Sequence, residues 1–361
     1  MFTLVINPGS TSTKVAIYED DKELHMETLS HSKEELSRYP TILDQLGFRS
    51  DLVMGFLEAT GYPPSKLNCV VSRGGAPPDA RSGATAINET LVTALRERPK
   101  EPHPACLGPI IAFKIAADAG LPAYMYDPIS VDELNPLARV FGVKGIEHDS
   151  MCHVLNTRAM AIATAKELGR SFSRTCFIVA HFGGGNSVSC WREGLLHDVI
   201  PGDAGSFSAE RCGAIRCERL IELSKKYDSK TITGWFHGEG GMVSLLGTND
   251  FRDVEKMIAA GDEYALLCEQ AMAYQLSKSI ASLFPAVNGN VDGIILTGGG
   301  AYWKRLADDI WNRLEYLKTP IYIRPGENEM QSLAEGALRV MAGEEEAHTY
   351  GNSESGIRNA E

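Results

Sequence analysis

Residues 6–18 read "INPGSTSTKVAIY". An apolar strand runs into Asn7, and a turn follows that carries Gly9, Ser10, Thr11 and Ser12. After Thr13 and Lys14 a second apolar strand begins. The pattern G-x-x-x-x-G-K-[ST] is absent, so this is not that kind of phosphate loop. Residues 177–191, "FIVAHFGGGNSVSCW", repeat the design: an apolar strand into His181, a turn at Gly183, Gly184 and Gly185, and a return strand. A third strand follows each pair, "KELHMETLS" and "GLLHDVI". Asn7 and His181 hold equivalent strand ends 174 residues apart, close to half the chain. A period of that size points to internal duplication of a hairpin-plus-strand unit.

A third glycine turn, Gly298-Gly299-Gly300, follows the apolar strand of "VDGIILTGGGAY". Backbone N–H groups in such turns form concave anion sites, and glycine lets the backbone approach a phosphate closely. Any one of them alone is as often a plain turn. Three in one chain, two at duplicated positions, suggest a nucleotide held between two halves.

The bulk numbers narrow the partners. The chain has 361 residues and a formal charge of −12, with an isoelectric point near 5.3. That length suits two packed domains. The acidic balance argues against nucleic-acid or membrane-surface binding, which needs a basic face. No apolar run reaches the roughly 18 residues of a membrane span, and no signal peptide is read at the N-terminus. Eight cysteines without C-x-x-C spacing read as reduced, buried thiols of a cytoplasmic protein rather than a zinc site.

Further along, Ser32 with Glu35 reads as a capping box. Helices are expected over 88–98, 106–119, 151–168, 209–226 and 262–284. Leu276, Ile280 and Leu283 form a core-facing stripe in the last of these. Asn328 is placed to cap a final helix, and residues 344–361 read as an acidic, disordered tail.

With the turns stand longer motifs: "YDPISVDEL", "HVLNTRA", "LGTNDFRDVEKMI", "GNVDGIILTGGGAYW" and "PGENEMQSLAEGALRV". Together they resemble the butyrate kinase branch of the acetokinase family, within the acetate and sugar kinase, Hsp70 and actin superfamily. The resemblance runs from residue 2 to about 345. It implies an α/β protein of the two-domain, ribonuclease H-like (actin-like ATPase) fold with a duplicated βββαβα core. Domain one would be 1–147, with the final helix, 328–343, packing back on it. Domain two would be 148–327. The implied activity is ATP- and Mg²⁺-dependent phosphorylation of a short-chain carboxylate, butyrate first among them, to the acyl phosphate, with ADP formed. The reverse reaction makes ATP. A homodimer or higher homo-oligomer is implied as well.

The chemistry agrees with the residue types. A carboxylic acid of pKa roughly 4–5 is already ionised at neutral pH, so no strong general base is required. Catalysis then reduces to aligning two anions and neutralising charge on the transferred phosphoryl group. By the resemblance, Asn7, Ser10, Ser12 and Lys14 belong to the first phosphate loop, and His181 with Gly183, Gly184 and Gly185 to the second. Asn7, Asp127 and Glu329 lie on the metal side. Arg73 meets the substrate carboxylate, which a guanidinium fork suits. Arg211 meets the transition-state oxygens, and His103 is a further site histidine. Asp250, Phe251 and Arg252, with Gly298, Gly299 and Gly300, border the adenosine. Read as residue types alone, Asp127 before Pro128 also fits an Asx-turn, and Glu329 also fits a first-turn helix acid.

The sequence departs from the family pattern in three places. His148-Asp149 stands where an Arg-Lys pair is usual, so His148 or His153 could take over a phosphate contact. "APPDARSGA" after Arg73 lacks an expected lysine, and Asn186 replaces a branched apolar residue. Two other readings stay open: a sugar or polyol kinase, or a non-enzymatic nucleotide switch.

Overall fold

The computed structural model describes residues 1–351. The chain divides into two compact units, Met1–Asp132 with Asn328–Glu361, and Glu133–Glu327. The division falls ahead of the 147/148 boundary expected from sequence. Residues just after it attach to the second unit: the Leu196 amide donates to Glu133, and the Asn135 amide and side chain both donate to the His197 carbonyl.

The first unit is built on strands β1 (Phe2–Pro8), β2 (Ser12–Glu19), β3 (Lys22–Ser30), β4 (Cys69–Arg73), β5 (Ala84–Ala86) and β6 (Ala123–Tyr126). With a short strand at His348–Thr349 they form one sheet. Its order is His348–Thr349, β5, β6, β4, β1, β2, β3. β1, β4 and β6 run parallel, while β1, β2 and β3 form an antiparallel meander. β1 is apolar on both faces because helices cover both. Leu4, Ile6, Val15, Ile17, Val70 and Met125 are buried with Val53, Leu57 and Ile111 from the helices Leu46–Thr60 and Leu107–Ala119. The final helix, Glu329–Met341, packs on β1 and β4. Ser32 and Glu35 do form the capping box.

The second unit contains β7 (Cys176–Phe182), β8 (Asn186–Arg192), β9 (Leu195–Ile200), β10 (Gly293–Gly298) and β11 (Ile321–Pro325), in the order β11-β10-β7-β8-β9. Strand for strand this matches β6-β4-β1-β2-β3, with the same parallel and antiparallel pairings. Asn7 pairs with Lys14 across the first hairpin and His181 with Ser187 across the second. The duplicated core expected from sequence is therefore present as topology. Leu276, Ile280 and Leu283 are buried against the second sheet, with Ile178, Ile294 and Leu296.

Three local expectations are corrected. Residues 344–351 are structured: Glu345 accepts from Tyr126 Oη and Arg339 Nε, His348–Thr349 adds a strand beside β5, and Tyr350 Oη donates to the Pro78 carbonyl. An acidic composition does not prevent this, because Glu345 and Tyr350 find partners on the first unit while Glu344 and Glu346 stay exposed. The remainder of the expected tail, 352–361, lies outside the described residues. Asn328 precedes the final helix with φ +34° but makes no side-chain cap. The helix expected over 209–226 is confined to Cys217–Ser224, because 208–210 bond instead to the turn at 183–184. Among the described residues, no helix is long and apolar enough to cross a membrane.

Candidate active site

In open α/β sheets, ligands gather at the carboxyl ends of the parallel strands. In the first unit, β1, β4 and β6 are neighbours, and their carboxyl ends carry Asn7, Arg73 and Asp127. The final helix delivers Glu329 to the same end. Asn7 Nδ2 donates to Glu329 Oε2 at 2.7 Å, and Arg73 Nη1 pairs with Glu329 Oε1 at 2.9 Å. Residues 322 positions apart in sequence thus share one carboxylate. Arg73 Nε is buried and has no hydrogen-bond partner among the described residues. The two glycines after Arg73 are required by crowding: a Cβ on Gly74 would meet Pro128 at 2.5 Å, and one on Gly75 would meet Cys106 Sγ at 2.5 Å.

Asp127 is 1% exposed with φ +43°, and its Oδ1 accepts the Gly83 amide at 2.6 Å. The carboxylate pins β5 to the end of β6 as well as sitting at the strand-end cluster. His103 is half-buried, and its Nδ1 accepts the Ala105 amide. Lys14 is exposed on β2.

The first turn is tied down on its carbonyl side. The Gly9 and Ser12 carbonyls and Thr13 Oγ1 all accept from Arg49 Nη1, and the Thr11 carbonyl accepts the His31 amide. The Ser10 and Thr11 amides form no hydrogen bond among the described residues, and both residues are exposed.

The second unit repeats the scheme with other groups. The Gly183 carbonyl accepts the Ala209 amide, and the Gly184 carbonyl accepts the Glu210 amide and Ser208 Oγ. The Gly184 and Gly185 amides form no hydrogen bond among the described residues. Asn186, the departure from the family pattern, is 3% exposed and fully used. Its Oδ1 accepts the Gly183 amide, and its Nδ2 donates to Ser206 Oγ and the Phe207 carbonyl. The third turn comes against the second. A Cβ on Gly183 would lie 3.6 Å from the Gly299 amide, and one on Gly298, which has φ +90°, would lie 2.5 Å from the Phe182 carbonyl oxygen. The Arg211 guanidinium lies over the second turn, 3.0 Å from where a Gly185 Cβ would stand.

His181 is 2% exposed at the end of β7. Its Nδ1 meets Asn156 Oδ1 at 2.9 Å, Thr297 Oγ1 donates to the same oxygen, and Asn156 Nδ2 donates to the Gly326 and Glu327 carbonyls. Two carbonyl acceptors assign the amide nitrogen, so Oδ1 is an acceptor and His181 Nδ1 carries a proton. Nε2 lies 3.5 Å from Glu327 Oε1. His153 stacks on His181 and meets Ser187 Oγ through Nδ1 at 2.8 Å. It occupies the helix N-cap position without capping through its side chain. His148 is exposed and lies edge-on to Phe141. Of the two histidines raised by the altered 146–153 stretch, His153 is the one beside His181.

Asp250 caps the helix Phe251–Ala259 and holds Arg252 through both carboxylate oxygens. The guanidinium and the Arg252 amide hold its carboxyl down at about 2. Phe251 stacks on Trp303 and borders Gly300. The segment 250–252 and the turn 298–300 thus line one edge of the second unit.

The sequence alone does not single out Asn156, Glu327, Glu210 or Arg49. Asn156 carries a readable signal, a polar residue on the core-facing side of a helix. The other three depend on contacts distant in sequence.

Acetate kinase from Porphyromonas gingivalis aligns over 93% of this chain and 98% of its own, at 17% identity with a TM-score of 0.77. Propionate kinase from Francisella tularensis subsp. tularensis SCHU S4 aligns over the same shares at 18% and 0.75. Acetate kinase from Entamoeba histolytica does so at 17% and 0.76. At such identities the likeness establishes the fold, the actin-like ATPase fold. Family assignment comes from the sequence itself: residues 129–338, more than half of the chain, match the acetokinase family model. With two copies of one sheet topology and the motifs of its second half, the chain belongs to the acetokinase family, whose members are carboxylate kinases.

Proposed function

We propose that the protein transfers the γ-phosphoryl group of ATP to a short-chain carboxylate, butyrate first, and runs the reverse reaction to ATP. The observation that carries the substrate class is Arg73. Its guanidinium stands at a strand end, is neutralised on one edge by Glu329, and keeps a buried Nε–H without an acceptor among the described residues. A planar carboxylate satisfies such a donor edge.

The reaction joins a carboxylate oxygen to the γ-phosphorus and breaks the bond from that phosphorus to the β–γ bridging oxygen, so ADP leaves. No proton need be removed from the acceptor. Arg73 orients the acid. The Ser10, Thr11, Gly184 and Gly185 amides offer donors to phosphate oxygens, and Ser12 and Lys14 add a hydroxyl and a charge. His181, locked by Asn156, and Arg211 supply positive or donor groups where phosphoryl charge develops. Gly298–Gly300, Phe251 and the Asp250–Arg252 pair border the nucleoside.

The donor set suits Mg²⁺. Asn7, Asp127 and Glu329 offer hard oxygens, and the Asn7 Nδ2 bond to Glu329 Oε2 at 2.7 Å keeps two of these side chains together. Magnesium is commonly held in this way, by one or two protein oxygens with phosphates and waters. When bound it would neutralise phosphate charge.

A hydroxylamine trap tests the reading. With ATP, Mg²⁺ and a series from acetate to valerate, an acyl hydroxamate is expected, with butyrate giving the highest kcat/KM. A maximum at acetate or a branched acid would move the substrate within the class. No hydroxamate with any acid, despite tight ATP binding, would overturn the reading in favour of a nucleotide switch.

A further inference from the structure

Arg49 lies on the helix Leu46–Thr60, 0% exposed, in the first unit. A buried guanidinium ordinarily has a carboxylate beside it, because an isolated buried charge is costly. Arg49 forms no ion pair among the described residues. Its donors go instead to neutral oxygens of the first turn: Nη1 to the Gly9 carbonyl at 2.9 Å, the Ser12 carbonyl at 3.1 Å and Thr13 Oγ1 at 3.0 Å, and Nη2 to the Ser10 carbonyl at 3.4 Å. Gln45 Oε1 accepts from Nε and Nη2 and sets the plane of the fork. Thr13 Oγ1 in turn meets His31 Nε2 at 2.9 Å.

We propose that Arg49 is a positioning residue of the phosphate site: it draws the carbonyls of Gly9, Ser10 and Ser12 inward so that the amides of Ser10 and Thr11 face outward as anion donors, and it leaves an uncompensated positive charge behind them. The second turn supports this by analogy within the molecule. There the carbonyls of Gly183 and Gly184 are held by the main chain and Ser208 of residues 208–210, and the amides are likewise left open. A neutral brace is sufficient for orientation alone. A guanidinium in the first turn adds charge where a polyphosphate would lie. A lysine cannot replace it, because one ammonium group cannot reach three carbonyls, a hydroxyl and a glutamine from a single fixed fork.

The inference rests on the kinase reading, and the experiment separates the two. Arg49→Lys and the milder Gln45→Met are compared with the parent full-length protein in the hydroxamate assay. Deuterium uptake of residues 2–19 is followed by mass spectrometry, alone and with ATP and Mg²⁺. For Arg49→Lys we expect kcat/KM for ATP to fall at least 30-fold and uptake at residues 9–13 to rise, with uptake elsewhere unchanged. Gln45→Met should shift both in the same direction by a smaller factor. Parent-like uptake at 9–13 in both variants, or an activity loss matched by faster exchange throughout the chain, would overturn the inference. A parent protein without kinase activity would overturn the reaction assigned above, yet the uptake comparison would still decide whether Arg49 braces the turn.

Discussion

The imidazoles of His153 and His181 lie stacked, centroids 3.9 Å apart and planes 11° from parallel. One comes from the start of a helix and the other from the end of a buried strand. Each has its own polar anchor, Ser187 for His153 and Asn156 for His181. His153 therefore sets the tilt of the His181 ring from its face, while Asn156 sets its rotation from its edge. Replacing His153 by Ala should lower kcat by roughly 10–100-fold, the range typical of losing a group that orients a site residue, with little change in melting temperature. Steady-state kinetics alongside thermal denaturation checks this, and an unchanged kcat would remove His153 from the site.

Asn156 is more deeply committed. Its side chain joins His181, Thr297 and the carbonyls of Gly326 and Glu327. Asn156→Ala orphans several buried groups at once and should cost about 2–4 kcal/mol of stability. Urea unfolding measures the loss, and the surviving folded enzyme should show a lowered kcat, because the His181 ring is no longer held.

Arg211 reaches over Gly185 without contributing to either hydrophobic core. Arg211→Ala should lower kcat by about 100–1000-fold, as loss of a transition-state donor does, and leave nucleotide Kd nearly intact. Equal loss in kcat and in affinity for ATP, measured by calorimetry, would contradict a role confined to the transition state.

Glu329 serves two groups, Asn7 and Arg73. Glu329→Gln removes a negative charge from the proposed magnesium site and the neutralising partner from Arg73. The Mg²⁺ concentration for half-maximal activity should rise about tenfold, equivalent to roughly 1.4 kcal/mol. KM for the carboxylate should fall or hold, since Arg73 is released to bind it. A magnesium titration of the hydroxamate rate measures the first effect and a carboxylate titration the second.

Glu269 offers a pH test away from the site. It is 1% exposed on the helix Glu263–Ser282, with Oε1 unpartnered among the described residues. Burial, then Asp309, pushes its carboxyl up to about 7, with Arg305 and Arg313 opposing and Glu255 adding to the rise. An acid raised in the folded state binds its proton more tightly there than when unfolded. Its contribution to stability is therefore full below the ordinary carboxylate range and is lost as pH climbs from about 4.5 to about 7. Glu269→Gln should flatten that decline and stabilise the protein at pH 8 by on the order of 2 kcal/mol. Denaturant midpoints at pH 5 and pH 8 give the comparison.

Much of the fold could be read directly from the chain. The apolar run "TLVI" of β1 and its counterpart "FIVA" of β7, each ending in a turn and a return strand, fix two copies of one hairpin, because a short continuous apolar run and turn chemistry act over a few residues. The strand ends they define carry Asn7 and His181, so those positions were legible too. Asn186 was visible only as an oddity. Its reason, three hydrogen bonds that tie the second turn to 206–207, depends on a segment twenty residues away.

What local pattern could not supply was partnership. Glu329 meets Asn7 across 322 positions, and Arg49 meets the first turn across 36 to 40. Neither pairing leaves a periodic trace, because it is made by packing a helix onto a sheet rather than by the turn of either element. Chain order and residue type thus specify the two sheets and their glycine bends. Which carbonyls are held back, which amides stay open and which carboxylate Arg73 faces follow from long-range packing, where burial forces every polar group to find an acceptor or donor wherever the fold places one.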